Sequence, residues 1–419
     1  MQMRIGTGRT LMLLCLLTAG IFAASWERIA DMPKPMQELP SIHMNGKVYV
    51  AGGMDANSCC NATNYFAEYD IASNKWTIKA NLKIAVNHPG IAALDGKIYV
   101  LSGYTGGSFS GQGVTNKCFR WTPSSNSWQE IASLPEPAAA PGVVTWKGKI
   151  YLFGGDYNKQ FDNAAHKKVF EYDPGADKWT VINSSWPEGK MHIGAGIVGG
   201  KVYISPGRPS RINKTCWEFD FAKAGKGAEA WKKMPDEPGS GVTGYIANWP
   251  VVNGKLYYIG GETQSGVKAE SWTFTPNSGG GGGKWEKFTD YVYGIHGIGP
   301  CTDGGTIWVC GGGTSANVGG RTNKCYKIKL GDAVASNTYR ASAKQQLQIL
   351  RTGDTYSVAL PDYGAYSIDM FNASGKVIAS YAGYATDADD ISLRPVSGTH
   401  ILRVQAEGKT VIERIINSK

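Results

Sequence analysis

Three of the six histidines are evenly spaced along the chain. His88, His192 and His296 are separated by the same 104 residues in both steps. Each also lies eight residues before a glycine; these glycines are Gly96, Gly200 and Gly304. Imidazole nitrogens bind zinc, copper, iron and other transition metals. The spacing therefore raises the question of whether the fold brings the three rings together.

The histidine spacing follows a repeat of about fifty residues. The first copy reads Gly46-Lys47-Val48-Tyr49-Val50 and ends in Gly52-Gly53. Similar sequences begin at Gly96, Gly148, Gly200, Gly254 and Gly305. A fixed period of this size predicts a repeat architecture. The apolar runs on both sides of each turn predict a β-hairpin, and the aromatic pair and tryptophan that follow predict two further strands.

These motifs resemble the kelch repeat over residues 25–332. The resemblance implies an all-β fold, a six-bladed propeller with four strands in each blade. The sixth copy has a third strand at Cys325-Tyr326-Lys327-Ile328 but no tryptophan strand after it. Trp26-Glu27-Arg28-Ile29 precedes the first copy. We therefore expect the N-terminal strand to complete the last blade.

The resemblance also implies a place for the histidines. The strand before each Gly-Lys turn is the innermost strand of a kelch blade. His88, His192 and His296 would share one position at the start of this strand in blades 2, 4 and 6. The same position in the other blades holds Glu38, Ala140 and Ile246. The pattern predicts a ligand set for one copper, zinc, iron or manganese ion. A polar, metal-free channel mouth is the alternative, since duplication of a two-blade unit could also produce this spacing.

The loops after the glycine pairs should open on the same face as the histidines. Because propeller loops often carry function, their polar residues are candidate ligand contacts. The candidates are Tyr104, Asp156, Arg208, Arg211 and Glu262. The two arginines could bind a carboxylate or a sulfate, although exposed arginines are more often only solvated.

The N-terminal residues 1–24 have the pattern of a secretory signal peptide. Arg4 and Arg9 precede an apolar run from Leu11 to Leu17, and small residues follow it. The run is short for a membrane span, so an anchor is the weaker alternative. No other stretch predicts a transmembrane helix in the mature chain. We expect the protein to be secreted or held at the cell surface.

The C-terminal part predicts a second all-β unit. A polar linker at residues 333–345 leads to short alternating strands in residues 346–419. The motifs Gly375-Lys376-Val377 and Ile401-Leu402-Arg403-Val404 resemble the C-terminal sorting domains of type IX secretion substrates. The resemblance implies recognition by the bacterial export machinery. His400 replaces a tyrosine that this family usually has, and an accessory β-sandwich remains the alternative.

Charge and cysteine content narrow the function classes. The formal charge of +9 is spread along the chain, which does not predict a nucleic-acid footprint. Eight cysteines, including the adjacent Cys59 and Cys60, show no zinc-ligand spacing and predict buried or disulfide-bonded structural residues. The primary hypothesis is a propeller that binds a glycan or a protein. The alternative is a metal-dependent carbohydrate-active enzyme of the lyase, oxidase or epimerase type.

Overall fold

The computed structural model describes residues 24–417 with several gaps. The gaps are 56–60, 109–110, 160–164, 209–212, 241–246, 264–265, 318, 331–347, 353–354, 360–363, 373, 375–376, 386–389, 394–397 and 407–408. The predicted signal peptide, apart from Ala24, and the predicted linker lie outside the described residues. Arg211, Ile246, Cys59 and Cys60 lie outside them as well.

Strand pairing arranges residues 27–329 into four sheets of four antiparallel strands and one nine-stranded sheet, in which the short strand Ala247–Asn248 pairs parallel to Gly142–Trp146 and Gly194–Val198. The six groups of four antiparallel strands are here called blades 1 to 6. Blade 1 comprises Ser41–Met44, Lys47–Ala51, Phe66–Asp70 and Lys75–Ile78; blade 2 comprises Gly90–Leu94, Lys97–Thr105, Gly113–Thr122 and Ser127–Ile131; blade 3 comprises Gly142–Trp146, Lys149–Phe153, Val169–Asp173 and Lys178–Asn183. Blade 4 comprises Gly194–Val198, Lys201–Ser205, Cys216–Asp220 and Trp231–Met234; blade 5 comprises Val251–Val252, Lys255–Ile259, Ser271–Pro276 and Gly283–Phe288; blade 6 comprises Cys301–Thr302, Thr306–Cys310, Cys325–Lys329 and Glu27–Ile29. The predicted all-β propeller fold is therefore the observed one.

The N-terminal strand belongs to the blade that contains the end of the propeller sequence. Glu27–Ile29 pairs antiparallel with Cys325–Lys329, with Glu27 opposite Lys327 and Ile29 opposite Cys325. Short strands outside the blades lie at Met36–Gln37, Met54–Asp55, Ala247–Asn248, Glu262–Thr263 and Gly266–Val267, and a 3-10 segment spans Phe221–Ala230. No helix in the described part of the chain is long and apolar enough to cross a membrane.

The apolar core lies between neighbouring blades. At the contact between blades 1 and 2, the Phe66 ring lies 5.0 Å from Trp121 and 4.9 Å from Trp128 between centroids, in edge-to-face geometry. Tyr49 joins the same buried cluster. Such contacts recur around the ring, so the tryptophan and aromatic motifs of each repeat provide the packing that joins successive blades.

Hydrogen bonds at the outer edge also join neighbouring blades. The indole nitrogen of Trp179 in blade 3 donates to the Ala132 carbonyl, which follows blade 2, at 2.9 Å. The Asp177 carboxylate accepts from the Ala132 amide at 2.9 Å and from the Tyr172 hydroxyl at 2.7 Å. Asn126 and Asn74 accept the equivalent bonds from the Ala80 and Ala30 amides. One oxygen in the outer turn therefore bridges two blades.

The lysine of the Gly-Lys turn has a structural role. Lys47 donates to Glu68 and Asp70 on the third strand of its blade, each at 2.9 Å. Lys201 forms the corresponding contacts with Asp220 at 2.7 Å and with Glu218 at 3.5 Å. These ion pairs explain why the Gly-Lys motif and a downstream acidic residue recur together in the sequence.

The C-terminal residues form two further antiparallel sheets. One contains Gln348–Thr352, Thr355–Ala359 and Asp390–Leu393, and the other contains Val377–Ala385, Gly364–Asn372, Gly398–Ala406 and Lys409–Asn417. In the second sheet, Arg403 donates to Asp369 at 2.7 Å on the neighbouring strand. The β character of this region agrees with the sequence expectation, and its predicted sorting role stays a prediction.

We expect Asp177→Ala to destabilise the propeller by about 2 kcal/mol, because the buried Tyr172 hydroxyl and the Ala132 amide both lose their acceptor. The free energy of unfolding in urea is the measurement. Asp177→Asn is the matched control, since asparagine occupies this position in blades 1 and 2. Equal destabilisation by both substitutions would contradict the role assigned to this oxygen.

Candidate functional site at the propeller axis

A residue shortly before five of the six inner strands has an unusual backbone conformation; the equivalent residue of blade 5, Ile246, lies outside the described residues. Glu38, His88, Ala140 and His192 have φ angles between 51° and 56°, and Gly297 has a φ angle of 60°. This left-handed region costs about 1–2 kcal/mol for a residue with a side chain. Non-glycine residues persist in such a conformation only where the surrounding structure holds them, and such positions are enriched at functional sites.

Backbone hydrogen bonds connect these positions from blade to blade. The His88 amide donates to the Glu38 carbonyl at 3.0 Å, and the Ala140 amide donates to the His88 carbonyl at 2.9 Å. The His192 amide continues the series to Ala140 at 2.9 Å, and the Glu38 amide donates to Gly297 at 2.8 Å. The left-handed positions therefore form a chain of contacts between inner strands, at the end of the blades that carries the glycine pairs.

His296 does not occupy the position of the other two histidines. In blade 6 that position belongs to Gly297, which has the left-handed backbone and accepts the Glu38 amide. His296 instead pairs with Gly313 in an isolated antiparallel bridge. The equivalent bridges in other blades join Asn87 with Tyr104 and Met191 with Arg208. The expectation of one shared position was therefore wrong by one residue for His296.

The cause is the turn of blade 6. Two glycines, Gly304 and Gly305, form this turn, and the Lys47 position is taken by Thr306. Counting back eight residues from Gly305, which directly precedes the second strand, gives Gly297. The equal spacing of the histidines thus combines two different backbone positions.

Glu38 is the centre of the buried polar cluster at the axis. Its Oε2 lies 2.9 Å from His88 Nε2, and its Oε1 lies 3.8 Å from His296 Nδ1. Glu38 and the two histidines are each less than a tenth exposed. The His88 and His192 rings are also in contact, with centroids 4.7 Å apart. The fold therefore brings all three histidines close to the axis, although not as equivalent ligands.

Glu262 extends the cluster toward the loops. Its carboxylate accepts from Arg208 at 2.9 Å and from the Asn317 amide at 2.9 Å, and it lies 3.5 Å from His296 Nδ1. Gln37 reaches the same loop by donating to the Asn317 carbonyl at 3.1 Å. Arg208 after the second strand of blade 4, Glu262 after that of blade 5 and Asn317 in the loop of blade 6 therefore belong to one polar network.

Tyr104 and Asp156 form the other side of the cluster. The Tyr104 hydroxyl donates to Asp156 Oδ2 at 2.7 Å, and both residues are buried. The Tyr104 ring lies 5.3 Å from the His88 ring between centroids. Tyr157, the next residue after Asp156, is 40% exposed and packs against His166.

Burial and charge set the protonation of the cluster. Burial alone would raise the pKa of Glu38, but the nearby His88, His296 and Arg208 lower it to about 2. Burial, with the charge of Arg208, lowers the pKa of His192 well below its usual value. Burial and the Asp156 carboxylate raise the pKa of Tyr104. At neutral pH, Glu38 is ionised whereas His192 and Tyr104 are neutral.

The structure brings together four of the five predicted ligand contacts. Tyr104, Asp156, Arg208 and Glu262 all reach the axial cluster, and the fifth, Arg211, lies outside the described residues. The predicted contacts are largely buried rather than exposed on the rim. Sequence reasoning missed Glu38 and Gln37 as site residues. Glu38 could have been noticed, because it shares its position with His88 and is a charged residue just before an inner strand.

The described residues do not fit the predicted three-histidine metal centre. His88 uses both ring nitrogens, since Nε2 faces Glu38 and Nδ1 lies 2.7 Å from Asn87 Oδ1. Within the described ranges, no group of three or more His, Cys, Asp or Glu side chains is arranged to hold a metal ion. The metal centre with copper, zinc, iron or manganese stays a prediction.

Comparison with known proteins agrees with this architecture. The Kelch motif matches residues 40–83, 86–135 and 137–185. A solved structure titled "Structure of YjhT" superposes with a TM-score of 0.58 at 19% identity, covering 71% of this chain and 95% of the other. The motif matches and the superposition together support a kelch-repeat β-propeller.

Curated relatives with similar sequences are also kelch proteins. Kelch-like protein terF of Aspergillus terreus is 26% identical over 67% of this chain and 61% of its own length. Kelch-like protein 25 of Xenopus tropicalis is 25% identical over 55% of this chain and 38% of its own length. The match spans less than two thirds of each relative, so their activities do not transfer directly to this chain.

We expect Glu38→Gln to destabilise the protein by about 3 kcal/mol at pH 7, because the substitution removes a buried carboxylate that lies 2.9 Å from His88 Nε2 and 3.8 Å from His296 Nδ1. The folded-state pKa of Glu38 is about 2, below its ordinary value of 4.5, so ionised Glu38 stabilises the fold above pH 4.5. This contribution is lost as the pH falls from 4.5 toward 2. The difference between variant and wild type should shrink over the same range.

Chemical denaturation at a series of pH values measures this difference. Glu27→Gln is the control, because Glu27 is an exposed acidic residue on the outer strand. A stability difference for Glu38→Gln that stays constant down to pH 2 would show that the carboxylate charge is not what stabilises the cluster.

Proposed function

We propose that this protein is a ligand-binding kelch propeller that recognises a hydroxyl-rich ligand, a glycan, at the axial cluster. The proposal is supported by unsatisfied polar atoms at the axis. His192 Nδ1, His296 Nε2 and Gln37 Oε1 are buried and have no hydrogen-bond partner among the described residues. Because an unsatisfied buried polar group costs about 1–3 kcal/mol, these atoms favour a bound molecule that completes their hydrogen bonds.

Two of these atoms converge beside Gly313. A Cβ atom at Gly313 would lie 2.5 Å from His296 Nε2 and 2.9 Å from Gln37 Oε1. Because Gly313 has no side chain, the ring nitrogen and the amide oxygen both approach its backbone closely. A hydroxyl can accept from a protonated ring nitrogen and donate to the amide oxygen at the same time. Sugar hydroxyls, or a bridging water, match this pair of partners.

The rim of the same face supports the choice of a glycan. Tyr157 presents an exposed aromatic ring next to the buried Asp156. Arg208 and Glu262 add a charged pair that can donate to and accept from hydroxyl groups. A few oriented polar groups around an aromatic surface are typical of small-molecule sites. A protein ligand on the loop face is the other class that the kelch architecture allows.

Export to the cell surface is part of this proposal. It is supported by the signal-peptide pattern of residues 1–24 and by the resemblance of residues 346–419 to sorting domains. N-terminal sequencing of the protein from the culture medium or the cell surface tests the export step. We expect a mature start at Ala24 or Ser25, whereas a full-length chain that stays inside the cell would contradict it.

We expect Gly313→Ala to weaken glycan binding at least tenfold, because the new methyl group would lie 2.5 Å from His296 Nε2 and 2.9 Å from Gln37 Oε1 and would displace these side chains. A tenfold loss corresponds to about 1.4 kcal/mol. A panel of immobilised glycans identifies a binder, and isothermal titration with that glycan then compares the variants. Gly225→Ala is the matched control, since a Cβ there meets no atom within 4 Å.

The measured affinities separate the two ligand classes. A glycan whose affinity falls in Gly313→Ala and not in Gly225→Ala supports the proposal. A panel without a binder, or a glycan bound equally by both variants, contradicts it. Saturable binding of a protein on the loop face, without glycan binding, would favour the other class.

A further inference from the structure

Blade 6 contains three of the five described cysteines, and the thiols of these three, Cys301, Cys310 and Cys325, are free and buried. Cys310 ends the second strand of the blade, and Cys325 begins the third strand directly opposite. The adjacent pair is hydrogen-bonded, because the Gly311 amide donates to the Lys324 carbonyl at 3.1 Å. Bonded and non-bonded pairs alternate in an antiparallel sheet, so Cys310 and Cys325 form a non-bonded pair.

We infer that Cys310 and Cys325 form a disulfide when the protein folds under oxidising conditions. Directly opposed residues of a non-bonded pair have Cα atoms about 4.5 Å apart, within the range of about 4.4–6.8 Å that a disulfide spans. Their thiols also interact with each other. The pairing therefore needs no movement of the two strands.

Cys301 is not placed to compete for either partner. It lies opposite Trp308, so Cys301 and Cys310 are diagonal neighbours rather than an opposed pair. Diagonal positions are about 7–8 Å apart, beyond ordinary disulfide geometry. Cys301 and Cys325 are separated by the intervening strand, a distance of about 10 Å.

Cys118 shows what is special about blade 6. Cys118 lies within the third strand of blade 2 and Cys325 begins that of blade 6. Each thiol lies 3.7 Å from the carbonyl oxygen two residues earlier. However, the residue opposite Cys118 is Leu101. Of Cys118 and Cys325, only Cys325 has a cysteine on the opposite strand and can form a cross-strand disulfide.

The oxidation balances with oxidised glutathione as the acceptor. The Cys310 thiolate attacks one glutathione sulfur, which forms a mixed disulfide and releases one reduced glutathione. The Cys325 thiolate then attacks the Cys310 sulfur and displaces the second glutathione. The two protein thiols lose two electrons and two protons, and two glutathione thiols are formed.

Burial determines when this exchange is possible. Burial raises the pKa of the Cys310 thiol well above its ordinary value, which suppresses the reactive thiolate in the folded protein. Oxidation should therefore occur during folding, before the strands pack against blade 1. The disulfide would join the ends of residues 311–324, which include Asn317, the residue that contacts Glu262 and Gln37. It would thus fix the base of a loop that belongs to the axial cluster.

Refolding of the full chain tests this inference. The reduced, denatured protein is refolded in a buffer of oxidised and reduced glutathione, free thiols are alkylated, and tryptic peptides are mapped without reductant. Cleavage after Arg321 and Lys324 separates the two cysteines. We expect a peptide that links residue 325 to the segment containing residue 310, in the wild type, in Cys118→Ser and in Cys301→Ser. The Cys301→Ser variant leaves Cys310 as the sole cysteine of its peptide.

The thermal midpoint gives a second measurement. Oxidation should raise Tm by about 5 °C, and a reductant applied during refolding should abolish the increase. Cys310→Ser should show neither the linked peptide nor the increase. Complete alkylation of Cys310 and Cys325 in the wild type after oxidative refolding would overturn the inference. A peptide that links residue 325 to a different cysteine would overturn it as well.

Discussion

The arrangement of the axis depends on one backbone constraint, the left-handed residue that precedes five of the six inner strands in the part of the chain that the structure describes. Glu38, His88, Ala140 and His192 adopt it without the help of glycine, and the amide of one bonds to the carbonyl of another in a neighbouring blade. Because this residue turns the chain into the inner strand, its side chain is held beside the axis. The strain is offset by the packing between blades and by hydrogen bonds at the outer edge. A polar cluster can therefore persist where apolar side chains would be expected.

The chemistry of the cluster follows from this placement. The Glu38 carboxylate lies 2.9 Å from His88 Nε2, and Glu262 connects His296 with Arg208. The remaining ring nitrogens of His192 and His296 face inward without partners among the described residues. Carboxylates already face ring nitrogens of His88 and His296. These nitrogens are therefore better suited to hydrogen bonding than to metal coordination. The axial cluster is thus the feature of this kelch scaffold on which the proposed ligand site rests.

Much of the fold could be predicted from the sequence because the repeat encodes it locally. The Gly-Lys turn, the downstream acidic residue and the tryptophan each correspond to an observed contact, as for Lys47 with Glu68 and Asp70. The position of His296 could not be predicted in the same way, since the turn of blade 6 has two glycines and Thr306 in place of the lysine that marks the motif glycine in the other blades. A shift of one residue places a side chain on the opposite face of a strand, so this small ambiguity changed the inferred ligand set. The contacts of Glu38 with His88 and His296, and the opposed position of Cys310 and Cys325, depend on the packing and register of the strands, which residue types alone do not show.

A crystal structure of the protein with a bound glycan tests the central claim most directly, that the axial cluster is a ligand site. The account predicts ligand hydroxyl oxygens within about 3.2 Å of His296 Nε2 and His192 Nδ1, with Gly313 alongside the sugar. A glycan located in a groove between blades, with only ordered water at the axis, would contradict it. A metal ion coordinated by the three histidines would contradict it as well, and would show that Glu38 moves away from His88.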